Sequence, residues 1–103
     1  MFDRFEVEFP AEIKKPNAQE NSFAQCHDVS ATGAGLFSEE MLMVNTRLEL
    51  QLGIPNGHPP FYGSARVIWS KQVQEDRWRS GLEFEEVDFM GISRIFATLG
   101  QQL

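Results

Sequence analysis

The sequence predicts a mostly β fold. About six short strands close into a barrel or pack as a sandwich, and one amphipathic C-terminal helix covers an opening or flank. Three observations carry this. Runs with an apolar residue at every second position recur between residues 4 and 86, separated by turn chemistry. The period then lengthens to that of a helix after Asp88. Aromatic residues make up 12% of the chain, nine of them Phe, which suits a compact strand-rich core. At 103 residues the chain is one domain, residues 1–103, large enough to bury a single core without staples.

The elements follow in order. From Arg4 to Lys14, Phe5, Val7, Phe9, Ala11 and Ile13 alternate with Glu6, Glu8, Pro10 and Glu12, the pattern of a half-buried strand. Pro10 donates no ladder hydrogen bond, so the strand should be an edge or a bulged one. Lys15-Pro16-Asn17 breaks the run. Residues 22–29 form a second, less regular strand that ends at Val29. Ser30 to Gly33 reads as a turn and Gly35 to Phe37 as a short strand. Ser38-Glu39-Glu40 turns the chain, and the apolar stretch Met41–Val44 is ambiguous. Arg47–Leu52 alternates cleanly as a strand. Pro55 to Pro60 is dense in turn residues. Phe61–Lys71 and Trp78–Glu86 are two further strands, joined by a polar connection from Gln72 to Arg77. In the helix, Phe89, Ile92, Ile95, Phe96 and Leu99 share one face, with Asp88 as N-cap and Gly100 as C′ glycine.

Composition excludes several classes. A hydrophobic content of 42% argues against disorder. A formal charge of −6 argues against non-specific nucleic-acid binding, which depends on neutralising phosphates. Cys26 is the one cysteine, so no internal disulfide forms; this points to a reducing cytoplasm, with Cys26 as buried packing. No apolar run approaches the ~20 residues needed to span a bilayer, and no signal-peptide pattern opens the chain, so the expectation is a cytoplasmic protein without membrane insertion.

An enzyme is not expected. His27, Asp28 and Ser30 lie within four residues, but neighbouring side chains on a strand point to opposite faces, so His27 and Asp28 should diverge. His27 then reads as a strand-end bystander and His58 as an exposed loop residue. The two lie too far apart, with no H-x-x-x-H or C-x-x-C spacing, to suggest a metal site. Glu39-Glu40 and Glu85-Glu86 read as solvated charge, and Gly33-Ala34-Gly35 lacks the third glycine and following helix of a phosphate loop. No catalytic residue, metal or cofactor is assigned.

What is left is the spacing Asp28-x-Ser30-x-x-Gly33. Asp28 and Ser30 can accept backbone N–H bonds in a turn, and Gly33 allows positive φ. Alternatively both polar side chains face a ligand, since a carboxylate can accept two N–H donors from a guanine edge. Asp28-Val29-Ser30-Ala31-Thr32-Gly33 matches the D-x-S-x-x-G half of a bipartite signature, and Ala34-Gly35-Leu36-Phe37 continues it. Arg66-Val67-Ile68-Trp69 ahead of Gly81-Leu82-Glu83-Phe84 is similar to a late V-x-W … G-x-x-F hairpin. With the strand order and terminal helix, nearly the whole chain resembles the PilZ domain family of bacterial cyclic di-GMP receptors.

That resemblance implies a six-stranded antiparallel PilZ-type β-barrel with a C-terminal helix. It implies cyclic di-GMP as the ligand, bound without catalysis by Arg4, Asp28, Ser30 and Gly33, with an unidentified protein effector as partner. Trp69 alone reads more as core than as a stacking platform; the resemblance makes Trp69 and Lys71 possible secondary contacts. The other half of the signature, R-x-x-x-R, is represented by Arg4, its first arginine falling one residue before Met1. One charge-assisted hydrogen bond is worth roughly 1.5–3 kcal/mol, so one arginine fewer implies binding about 10- to 150-fold weaker. The α-amino group of Met1 and Lys71 are the candidate substitutes for it. The incomplete pair and the acidic charge also suit a rival: a PilZ-like adaptor for pilus or motility machinery that no longer binds the nucleotide.

Overall fold

The structure, a computed structural model, describes residues 4–87 and 89–98. The expected helix caps Asp88 and Gly100, the last apolar position Leu99 and the Met1 amino group lie outside them. Six strands, β1 (Phe5–Lys14), β2 (Ser22–Val29), β3 (Gly33–Ser38), β4 (Arg47–Leu52), β5 (Phe61–Gln74) and β6 (Arg77–Val87), precede one helix, α1 (Phe89–Thr98). All neighbours pair antiparallel in the order β1-β2-β3-β6-β5-β4, and β1 pairs again with β4 to close the barrel.

Alternation decides what goes inside. Val7, Phe9, Ala11 and Ile13 are buried while Glu6, Glu8 and Pro10 are exposed. Cys26, Val29, Leu36, Leu48, Leu50, Leu52, Phe61, Val67 and Leu82 fill the barrel with them. Each fully buried large side chain contributes roughly 1.5–3 kcal/mol by leaving water. α1 adds Ile92, Ile95 and Phe96 to the same core. Phe96 meets Phe5 edge-on at 5.3 Å between ring centres, which fastens the helix beside the start of β1.

Two local expectations change, at β3 and at the β5–β6 connection, and two open ones are settled, at Met41–Val44 and at Pro10. β3 starts at Gly33, inside the expected turn, because Gly33 and Ala34 already pair with Glu83 and Leu82 of β6. The β5–β6 connection shrinks to Glu75-Asp76, since Gln72 and Gln74 still find partners in Trp78 and Arg77. Met41–Val44 is no strand: Leu42 alone turns inward, whereas Met41, Met43 and Val44 are exposed. Pro10 is not on a free edge. The Pro10 carbonyl accepts from the Gly53 N–H at 2.8 Å, and ladder pairing of β1 with β4 begins one residue later, so the missing Pro10 N–H falls at the ladder's end. The β1–β2 register is nonetheless bulged just before it, between Glu6 and Phe9.

Candidate functional site

A groove of about 600 Å³ opens on the outer face of β1, β2, β3 and β6. Its walls carry Glu6 and Glu8 from β1, Gln25, His27 and Asp28 from β2, Phe37 from β3, and Arg77 and Arg79 from β6. The composition is that of a polar ligand site with one aromatic floor.

The β2 backbone builds its centre. The β2–β3 register pairs Cys26 with Leu36 and Asp28 with Gly35, so His27 is an extra residue in a bulge. Cys26 and Val29 stay inside the barrel, while His27 and Asp28 both face out. The expectation that these two side chains diverge is therefore corrected, because the bulge interrupts the two-residue alternation. His27 Nδ1 and Asp28 Oδ2 stand 3.1 Å apart. The His27 ring lies on Phe37, with centroids 4.4 Å apart, and its Nε2 accepts a hydrogen bond from Arg79 Nε at 3.3 Å. His27 is no bystander.

Burial pushes the His27 pKa below its ordinary value; the charges of Arg79, Arg4 and Arg77 act the same way and Asp28 opposes them. The neutral ring donates from Nδ1 and accepts at Nε2, which fits its two neighbours. Beneath it, the buried Cys26 thiol donates to the Asp28 carbonyl oxygen at 3.2 Å. Burial, then the Asp28 charge, push its pKa to about 12, so it is packing and not a nucleophile.

Arg4 Nη1 donates to Asp28 Oδ1 at 2.5 Å, so both Asp28 oxygens are engaged, one by Arg4 and one by His27. The structure thus brings Arg4, just ahead of β1, against Asp28 of β2. Ser30 and Gly33 play a different part. Ser30 is buried, its Oγ accepts from the Thr32 N–H at 3.2 Å, and its N–H donates to the Gly33 carbonyl at 2.8 Å. Ser30 therefore shapes the turn and does not line the groove. Gly33 does not use positive φ, which Gly57 does. A side chain at Gly33 would overlap the Leu82 carbonyl oxygen, so glycine is needed for strand contact.

Trp69 is not core. It is 40% exposed on the outer face of β5. Its indole lies over Gly81, where any Cβ would overlap it. Registers align Glu6, Asp28, Gly35, Gly81 and Trp69 in one row across five strands. Lys71, two residues along the same face, stands opposite Arg79 and is exposed. Neither Trp69 nor Lys71 lines the groove; Arg79 intervenes, its guanidinium 5.7 Å from the indole ring centre. Neither arginine stands out in the sequence: Arg77 falls in the expected connection Gln72–Arg77, and Arg79, in the expected strand Trp78–Glu86, belongs to no motif. The signal was there: in a strand beginning at Arg77, residues 77, 79 and 81 share one face.

A model of the PilZ domain matches residues 1–97. The chain belongs to the PilZ domain family. PilZ domains are a family of non-catalytic cyclic di-GMP receptor modules. No curated protein matches the sequence. Among solved structures, the chain is similar to the Bacillus subtilis inhibitor of motility MotI/DgrA, at 14% identity and a TM-score of 0.79, covering 96% of this chain and 49% of that one. It is also similar to the PilZ domain with c-di-GMP of YcgR from Escherichia coli, at 14% identity and a TM-score of 0.71, covering 95% and 86%. The PilZ domain of CeSA from a cellulose-synthesizing bacterium has 16% identity, a TM-score of 0.65 and coverage of 95% and 96%. These neighbours establish the PilZ barrel fold. The chain spans about half the length of the motility inhibitor. Among the described residues, no helix is long and apolar enough to cross a membrane, and no group of three or more His, Cys, Asp or Glu could hold a metal ion.

Proposed function

We propose that this PilZ domain binds cyclic di-GMP and acts as a non-catalytic receptor that signals to a protein partner. The observation that carries the reading is the ion pair between Arg4, which does not itself line the groove, and the groove residue Asp28, which brings the two signature segments together. Asp28 reads a guanine Watson–Crick edge by accepting its N1–H and N2–H. A carboxylate has about four acceptor positions, so two are left after Arg4 and His27. Arg4 holds a phosphate or stacks on the base through its planar guanidinium. Ser30 and Gly33 act by fixing the turn that follows Asp28. Arg4 directly precedes β1, so ligand held there couples to the N-terminal end of the barrel and changes the surface offered to an effector. A cytoplasmic setting goes with this reading.

Isothermal titration with cyclic di-GMP tests it. The expected result is saturable binding that is lost in Arg4→Ala and Asp28→Ala variants whose circular dichroism is unchanged. No heat at protein concentrations near 100 μM (the regime of a Kd weaker than roughly a few hundred micromolar) would overturn it and leave the adaptor reading.

A further inference from the structure

The groove is electrostatically divided. Its β1 and β2 side carries Glu6, Glu8 and Asp28; its β6 side carries Arg77 and Arg79. The two β6 arginines differ from others on the barrel. Arg66 donates to Glu85 at 3.0 Å, and Arg47 lies 3.5 Å from Glu86. Among the described residues, neither Arg77 nor Arg79 has a carboxylate within 4.0 Å. They are held by uncharged groups. The Arg77 guanidinium lies 4.0 Å from the centre of the Phe37 ring, and Arg79 is positioned by Trp69 and by neutral His27. A guanidinium over a ring keeps its charge unneutralised, and although Arg79 gives its Nε–H to His27, terminal N–H groups are left with which to clamp an anion.

We infer that Arg77 and Arg79 form a ring-supported cationic pair that takes a phosphate other than the one Arg4 holds, orienting the bound nucleotide with that phosphate toward β6 and a guanine edge toward Asp28. This rests on the nucleotide reading above. The opposite orientation would set that phosphate against Glu6 and Glu8, where like charges repel. The pair also supplies phosphate contacts that the signature motifs do not include.

The test is titration of cyclic di-GMP into the wild-type chain, Arg77→Gln/Arg79→Gln and Arg66→Gln at two salt concentrations. Arg66→Gln removes the same kind of charge outside the groove. The double variant should bind at least 10-fold more weakly and show a shallower salt dependence, while Arg66→Gln stays within twofold of wild type. Should the double variant fail to fold, Arg77→Lys and Arg79→Lys decide: each keeps the charge, loses the planar fork, and should bind roughly 3- to 10-fold more weakly. Wild-type affinity in the double variant, or in both lysine variants, overturns this inference and leaves the receptor reading standing. Equal weakening in Arg66→Gln and the double variant also overturns it, because the effect would be that of net charge. No binding by the wild-type chain overturns both.

Discussion

His27 and Asp28 are neighbours in a β-strand, yet their side chains meet on one face with Nδ1 and Oδ2 3.1 Å apart. The bulge between Cys26 and Asp28 makes this possible, and Gly35 leaves the space. A Cβ on Gly35 would come within 2.8 Å of the His27 ring and 2.9 Å of Asp28 Oδ1. The consequence is a relay from Arg4 through Asp28 and His27 to Arg79, linking opposite sides of the groove.

Two glycines of one strand should therefore fail differently. Gly33→Ala drives a methyl into the backbone carbonyl of Leu82 and should cost about 2–3 kcal/mol of stability. Gly35→Ala meets only side chains, so it should cost about 1 kcal/mol or less and instead displace His27 and Asp28. Urea denaturation and nucleotide titration of both variants separate the outcomes. Equal stability losses would contradict the assignment.

The Arg4–Asp28 ion pair should matter more for ligand than for folding. Arg4 is 49% exposed and Asp28 15%, so solvent screens the pair. A double-mutant cycle with Arg4→Ala and Asp28→Ala should give a coupling energy of about 0.5–1 kcal/mol in stability. A coupling above about 2 kcal/mol would make the pair a structural element of the fold.

Acid should weaken the fold through His27. Its folded pKa lies below the ordinary 6.5, from burial first and then from Arg79, Arg4 and Arg77, against Asp28. The unfolded chain thus takes up the proton first as pH falls, and stability rises with pH in that window. The contribution is complete above about pH 6.5 and is lost as pH falls through the folded value. Between pH 7.5 and 5, the wild-type chain should lose more stability than His27→Gln, which lacks the imidazole. Identical slopes would remove His27 from the account.

Cys26 should be inert in the native protein. With a pKa of about 12 and no exposure, its thiolate fraction at pH 8 is roughly one in ten thousand. Ellman's reagent should label it only after unfolding, at the rate of global opening. Rapid labelling of the folded chain would show that β2 opens locally.

Within the sequence, the two-residue alternation of Phe5 to Ile13 and of Arg47 to Leu52 determined which faces form the core, and the longer period of Ile92, Ile95 and Phe96 determined the helix. The spacing of Asp28, Ser30 and Gly33 pointed to the correct turn. These are local patterns, readable because burial of one face repeats with the geometry of the element. Barrel register decided the rest. Whether His27 faces Asp28, whether Trp69 is buried, and whether Arg77 and Arg79 reach the same groove as Asp28 depend on a bulge and on contacts between residues up to 52 positions apart. A one-residue shift in such pairing moves a side chain from one face to the other. So the motif named Asp28, and only closure of the barrel surrounded it with His27, Arg4, Arg77 and Arg79.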